Sequence, residues 1–163
     1  MRKHLIFVIS TLVLAVLQTT LVPLLLPEWL RPDFLFVVIV LLGLFLQPMT
    51  GSIYTFGMGY LQDLLMGTMA GLFIVDRLVI YLAAYWLAGQ FYAKSALAQA
   101  ALVALLSVLD YLLIWLLSAI FSGGDAFSVP LWHLFPRAIS NAIMGLALYY
   151  PLRILWEGGE REL

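Results

Sequence analysis

Apolar residues run with little interruption from Leu5 to Leu26 before Pro27, Glu28, Arg31 and Pro32 mark a turn. A helix needs about 20 such residues to cross a hydrocarbon core ~30 Å thick. The first element predicted is therefore a membrane-spanning helix over residues 4–26. Five more apolar segments follow, separated by short polar or Gly/Pro-bearing breaks. They predict helices over 32–46, 52–66, 71–89, 96–121 and 131–155. Pro32 suits a first helical turn, where its missing N–H is not needed. The breaks are Gln47, Pro48, Thr50 and Gly51, then the stretch leading to Gly71, then Gln90, Lys94 and Ser95, and finally the longest loop, which opens at Ser122-Gly123-Gly124-Asp125 and ends near Pro130. The tail from Glu157 to Leu163 is polar and reads as frayed.

The second and third segments are short. At ~15 residues each they reach about 22 Å, less than the core. They either extend into their turns, cross a thinner bilayer, or form a hairpin that does not fully cross. Arg2 and Lys3 give the first segment the positive start of a signal peptide, but its apolar run is too long and ends in Pro23-Leu24-Leu25-Leu26-Pro27, without a small-x-small cleavage site. It is read as a retained helix. The expectation is an all-α integral membrane protein, a single transmembrane domain over residues 1–163 forming a compact bundle of about six transmembrane helices.

Lys and Arg in short loops set orientation. With about six spans, Arg2, Lys3, Lys94, Arg153 and Arg161 fall on one side and only Arg31 on the other. Both termini are expected in the cytoplasm, and a bacterial inner membrane is the expected setting.

Composition agrees with this picture. Hydrophobic residues make up 64% of the chain and charged residues 10%, where a soluble domain carries roughly a quarter charged. The formal net charge of −1 says little, and no basic run points to nucleic acid. The chain has no Cys, which excludes disulfides, thiolate metal sites and c-type haem attachment.

Two constellations carry more information. Thr55, Gly59, Asp63, Gly67 and Gly71 recur every four residues, so the helical members share one face. Small residues at that spacing let a second backbone approach closely in lipid. The face is either an internal packing ridge ending in a Gly-rich turn or a partner or ligand surface centred on Asp63. Thr11, Ala15 and Thr19, then Ala96, Ala100 and Ala104, then Ala138 and Ala142 repeat the pattern more weakly and read as internal packing. The second constellation is a set of polar groups within the spans: Asp76, Arg77, Asp110, Arg137 and Asn141, with Asp63 beside them. Rise per residue places Asp63 about 6 Å below the outer end of its helix, Asp76, Arg77 and Arg137 about 9–10 Å below, and Asp110 and Asn141 near mid-membrane. An isolated charge there costs about 2.5–3.5 kcal/mol on the insertion scale, so mutual pairing is expected, Asp110 with Arg77 or Arg137. The cluster is either a salt-bridge network that fixes helix register or a polar cavity.

Catalytic motifs do not stand out. His4 lies at the cytoplasmic edge and His133 beside Trp132 at the outer interface. Ser140 lacks a G-x-S-x-G context, and no H-E-x-x-H run occurs. Trp29, Trp132, Trp156, Tyr149 and Tyr150 suit interfacial anchors.

The stretch from Gly59 through Gln62-Asp63-Leu64 and Gly67 to Gly71 resembles the Gly-x-x-x-Asp-Leu-x-Ser-Gly-x-x-x-Gly run of the rod shape-determining protein MreD family. Met66 stands where that family usually has Ser, and Ala70 where it has Leu. Arg31-Pro32-Asp33 opening the second helix, and Asn141 followed by Gly145, extend the resemblance over most of the chain. The resemblance implies a non-enzymatic component of the bacterial elongation machinery without cofactor. It would sit in membrane lipid with MreC, the actin-like MreB, RodA and a class B penicillin-binding transpeptidase, and help place lateral peptidoglycan synthesis. The rival reading is a substrate-binding membrane subunit of an energy-coupling-factor vitamin transporter. Those components are of similar size and also use polar groups near the outer side, although the first helix here lacks their Ala-x-x-x-Ala face.

Overall fold

The computed structural model describes residues 2–67, 71–90, 95–121 and 131–157. Lys94 and Arg161 of the charge count, residues 68–70 of the glycine-bearing run, the loop 122–130 and the tail 158–163 lie outside the described residues. The described residues contain helices and no strand. The helices are α1 (Arg2–Thr20), its four-residue continuation α2 (Val22–Leu25), α3 (Phe34–Phe45), α4 (Pro48–Met66), α5 (Leu72–Gln90), α6 (Ala96–Phe121) and α7 (Leu134–Glu157). Short 3-10 turns, Glu28–Leu30 and Leu131–His133, precede α3 and α7.

Most expected boundaries agree with these to a few residues. The exceptions have local causes. The third segment starts earlier than predicted because Pro48, read as part of a break, occupies the first helical turn of α4, where a missing N–H costs nothing. The first segment is divided at Leu21, with Pro23 in the first turn of α2. Among the described residues, helices at Lys3–Leu25, Leu72–Gln90, Ala96–Ile120 and Leu134–Trp156 are long and apolar enough to cross a membrane. α3 is not. Its 12 residues reach about 18 Å. α4 has 19 residues but carries glycines and polar side chains along them.

α3 is the core. It packs against α5, α7, α1, α4 and α6, and its residues from Phe34 to Gly43 are all buried. A helix apolar on every side is stable only when surrounded. Burial in protein also lets a short helix sit at membrane depth without exposing its ends to lipid. The four leading N–H groups of a helix lack intrahelical acceptors. Here side chains serve instead. Asn141 Oδ1 accepts from Asp33 N at 2.8 Å, Gln18 Oε1 from Phe34 N and Leu35 N at 2.8 and 3.3 Å, and Asp33 Oδ1 from Phe36 N at 3.0 Å. At the other end the Tyr81 hydroxyl lies 3.2 and 3.0 Å from the carbonyl oxygens of Leu46 and Gln47, within donating reach of either.

The beginnings of α1 and α4 and the end of α7 meet. His4 hydrogen-bonds the Tyr54 hydroxyl, and its ring lies 5.9 Å from that of Trp156. Phe7 packs edge-on against both Tyr54 and Trp156. Residues near the two chain ends thus share one end of the bundle, and Trp156, expected as an interfacial anchor, belongs to this cluster.

Candidate functional site

At the opposite end, where α3 and α5 begin, lies the polar centre. Arg77 follows the first turn of α5 and is fully buried. Its Nη2 lies 2.6 Å from Asp33 Oδ2, its Nη1 2.8 Å from Asp76 Oδ2, and its Nε donates to Gln62 Oε1 at 2.8 Å. Nη1 also pairs with Asp110 Oδ1 from α6. The rings of Phe36 and Phe73 sit 5.5 and 5.3 Å from the guanidinium carbon, distances at which aromatic faces attract a cation. One guanidinium therefore joins α3, α4, α5 and α6. It uses the planar fork that lets Arg serve several acceptors at once.

A second layer holds the carboxylates in place. Gln62 Nε2 donates to Asp33 Oδ2 at 3.0 Å, and Gln18 Nε2 to Asp33 Oδ1 at 3.2 Å. Asn141, which caps Asp33 N, donates through Nδ2 to Ser107 Oγ at 3.0 Å, and Ser107 Oγ donates to the Val103 carbonyl at 2.8 Å. This extends the network to α1 and α7. Within this cluster Asp76 Oδ1 and Arg137 Nε are buried without a hydrogen bond among the described residues. Among the described residues Arg137 pairs with Asp33, at 3.9 Å.

Of the polar residues predicted from the sequence, Asp76, Arg77 and Asp110 form one cluster, with Asn141 one step away. Arg137 lies at its edge, and the partner of Asp110 is Arg77. Four participants were missed as members of the cluster: Asp33, Gln62, Gln18 and Ser107. Asp33 was legible only as part of the Arg31-Pro32-Asp33 start of the second helix, and the cap that turns it inward is a matter of tertiary structure. A better signal was available for Gln62 and Gln18, amides set inside predicted membrane-spanning segments.

The four-residue series divides. Thr55, Gly59 and Asp63 face the bundle interior, and all three are buried. A Cβ on Gly59 would stand 2.8 Å from Ile74 Cα and 3.0 Å from the Phe73 carbonyl oxygen, so glycine permits α5 to lie against α4 here. Asp63 accepts from Gly71 N and Phe73 N, both at 2.9 Å, and so caps the start of α5. Gly67 and Gly71 have positive φ, 60° and 99°, and no atom within 4 Å of an added Cβ. They form the turn between helices rather than a packing face. Gly51, one repeat earlier, does belong to the series: an added Cβ would overlap the Tyr81 ring.

The arrangement is an internal clamp. Its carboxylates face a guanidinium and amides, and among the described residues no group of three acidic or His side chains is placed to hold a metal ion. Comparison with known proteins adds the family. The model of the family described as rod shape-determining protein MreD matches residues 1–157. No curated protein and no solved structure matches the chain.

Proposed function

From its membership of the rod shape-determining protein MreD family, to which this chain belongs, we propose that it is a multi-pass adaptor of the bacterial inner membrane. It acts without chemistry of its own, with both termini in the cytoplasm and about six membrane passes. Its partners are MreC, MreB, RodA and a class B penicillin-binding transpeptidase, and its task is to help place lateral peptidoglycan synthesis. The observation that carries the reading is the family match over 1–157. The architecture supports it: buried charge is spent on holding helices together, while outward faces such as Leu5, Ile9 and Leu12 of α1 and Leu105, Leu112 and Leu116 of α6 are exposed and apolar, open to lipid or to partner helices. The energy-coupling-factor reading has less behind it, since the polar cluster that suggested a substrate site is filled by its own ion pairs.

Depletion and rescue test the proposal. Cells dependent on this chain should round up when it is depleted, and the tagged protein should recover MreC from solubilised membranes. Retained rod shape on depletion, together with loss of uptake of a vitamin, would overturn it in favour of transport.

A further inference from the structure

Between α1 and α4 the bundle is not closed. An apolar groove of about 320 Å³ runs along this seam, lined by Phe7 and Leu12 from α1 and by Tyr54, Gly57, Leu61 and Leu64 from α4, among others. Farther along the same two helices lies a second cavity of about 370 Å³, with Gln18 and Thr19 from α1 and Leu65 and Met66 from α4 in its walls. Leu64 lines the first space and its neighbour Leu65 the second, so the two are consecutive along α4.

The second cavity differs in charge. Arg31 and Arg137 both line it. The Arg31 guanidinium donates to main-chain carbonyls, Leu26 O at 3.1 Å and Pro23 O at 3.3 Å. Arg137 Nε is buried without a hydrogen bond, and its ion pair is the long 3.9 Å approach to Asp33. That carboxylate is already engaged by Arg77 at 2.6 Å and by Gln62 at 3.0 Å. Two guanidiniums thus wall one cavity, and among the described residues no carboxylate is close-paired to either. Two acids also line the cavity: Asp33, committed as described, and Glu28, exposed at the surface where water screens it. Guanidinium forks match phosphate oxygens in geometry and charge.

The dimensions fit one kind of occupant. From Ile53 to Leu64 the groove follows α4 for about 16 Å at 1.5 Å per residue, close to half of a ~30 Å core and hence to one leaflet. We infer that the α1–α4 seam binds a membrane lipid, with its phosphate head on Arg31 and Arg137 and one hydrocarbon chain in the groove lined by Gly57, Leu61 and Leu64. Charge complementarity selects the head and depth selects the chain.

The test uses the full-length protein in detergent, with bound lipid counted by native mass spectrometry. The probes are dipalmitoyl phosphatidylglycerol, the same-chain diacylglycerol, dihexanoyl phosphatidylglycerol and inorganic phosphate. Long-chain phosphatidylglycerol should be retained about fivefold or more over diacylglycerol, and a variant combining Arg31→Gln with Arg137→Gln should lose that preference. Gly57→Leu is the second handle, because a Cβ there meets nothing within 4 Å and the added side chain would fill the groove without displacing a neighbour. It should weaken retention of the long-chain lipid and leave the dihexanoyl lipid unchanged. Arg31→Gln alone removes no ion pair among the described residues but gives up the hydrogen bonds to Leu26 O and Pro23 O, so it should lower the melting temperature slightly in every lipid while weakening retention of the phosphate lipid and not of diacylglycerol. Equal retention of diacylglycerol and phosphatidylglycerol would overturn the head-group assignment. Displacement by inorganic phosphate with no dependence on chain length would show a soluble anion site instead. A Gly57→Leu protein that binds long chains as the parent does would overturn the groove.

Discussion

Arg77 Nη2 stands 2.6 Å from Asp33 Oδ2, and neither side chain is more than 3% exposed. The contact joins α5 to the first residues of α3 across 44 positions of sequence. It is also the point at which the caps of the buried helix and the ion pairs of the bundle become one network.

Breaking that network from the cationic side should be costly. Arg77→Gln leaves Asp33, Asp76 and Asp110 facing one another without their shared cation, and loss of one partner of a buried pair typically costs about 3–5 kcal/mol. The variant should accumulate poorly and melt early in detergent. Combining Arg77→Gln with Asp110→Asn removes one of the stranded charges and should recover part of the loss, a coupling of about 0.5–3 kcal/mol. Thermal unfolding of the two singles and the pair, followed by fluorescence-detected size exclusion, measures it. Strict additivity would show that the pair does not act as a unit.

Glycines on α4 should separate by what they face. Gly59→Leu drives a side chain into the backbone of α5 at Ile74, and overpacking of this kind costs about 1–3 kcal/mol. Gly57→Ala, two positions away with open space beyond its Cβ, should be neutral or stabilise by about 0.5–1 kcal/mol through helix propensity. Melting temperatures that fall equally in both would refute the assignment of Gly59 to the interior contact. If Gly59→Leu instead melts as the parent does but no longer recovers MreC, the face would be a partner surface.

Asp63 should behave as a cap. Asp63→Ala removes the acceptor for Gly71 N and Phe73 N, both at 2.9 Å, and should cost about 0.5–2 kcal/mol. Asp63→Asn keeps one acceptor oxygen and should cost less. Melting the two variants side by side decides: an Asn variant as unstable as the Ala variant would mean that the charge itself, and not the hydrogen bonds, is required.

What could be read from the sequence follows from what each feature depends on. Helix number and approximate limits depend on local hydrophobic runs. The approach of Asp76, Arg77 and Asp110 depends on depth, which counting along helices supplies. The choice between Arg77 and Arg137 as partner of Asp110 could not be made that way, because both arginines lie at similar depth and only helix rotation separates them. Asp33 was hidden because its role depends on a turn, whereas the end of the helix at Met66 and the Gly-rich turn at Gly67 and Gly71 are local features that one of the two sequence readings contained. The burial of α3 was hidden too. An apolar stretch looks the same whether it faces lipid or other helices, and only its length, short for a span, hinted at the difference.

That short helix carries the sharpest question of topology. Trp29 lies before α3 in the turn at the polar end of the bundle, and Met49 lies just after α3, beside the helix ends that bring His4 and Trp156 together. If the chain passes through the membrane at α3, as proposed, these two positions face opposite aqueous compartments although the helix between them is only about 18 Å long. The protein has no native Cys, so single cysteines report without background. Trp29→Cys should react with a membrane-impermeant maleimide in intact spheroplasts. Met49→Cys, at a residue 82% exposed, should react only after the membrane is opened. The orientation comes from Arg2, Lys3 and Arg153 lying at the Met49 end and Arg31 at the other. Labelling of both cysteines from the same side would make α3 a re-entrant segment and reduce the number of passes. Labelling of Met49→Cys alone in intact spheroplasts would keep the crossing but invert the protein, placing both termini outside.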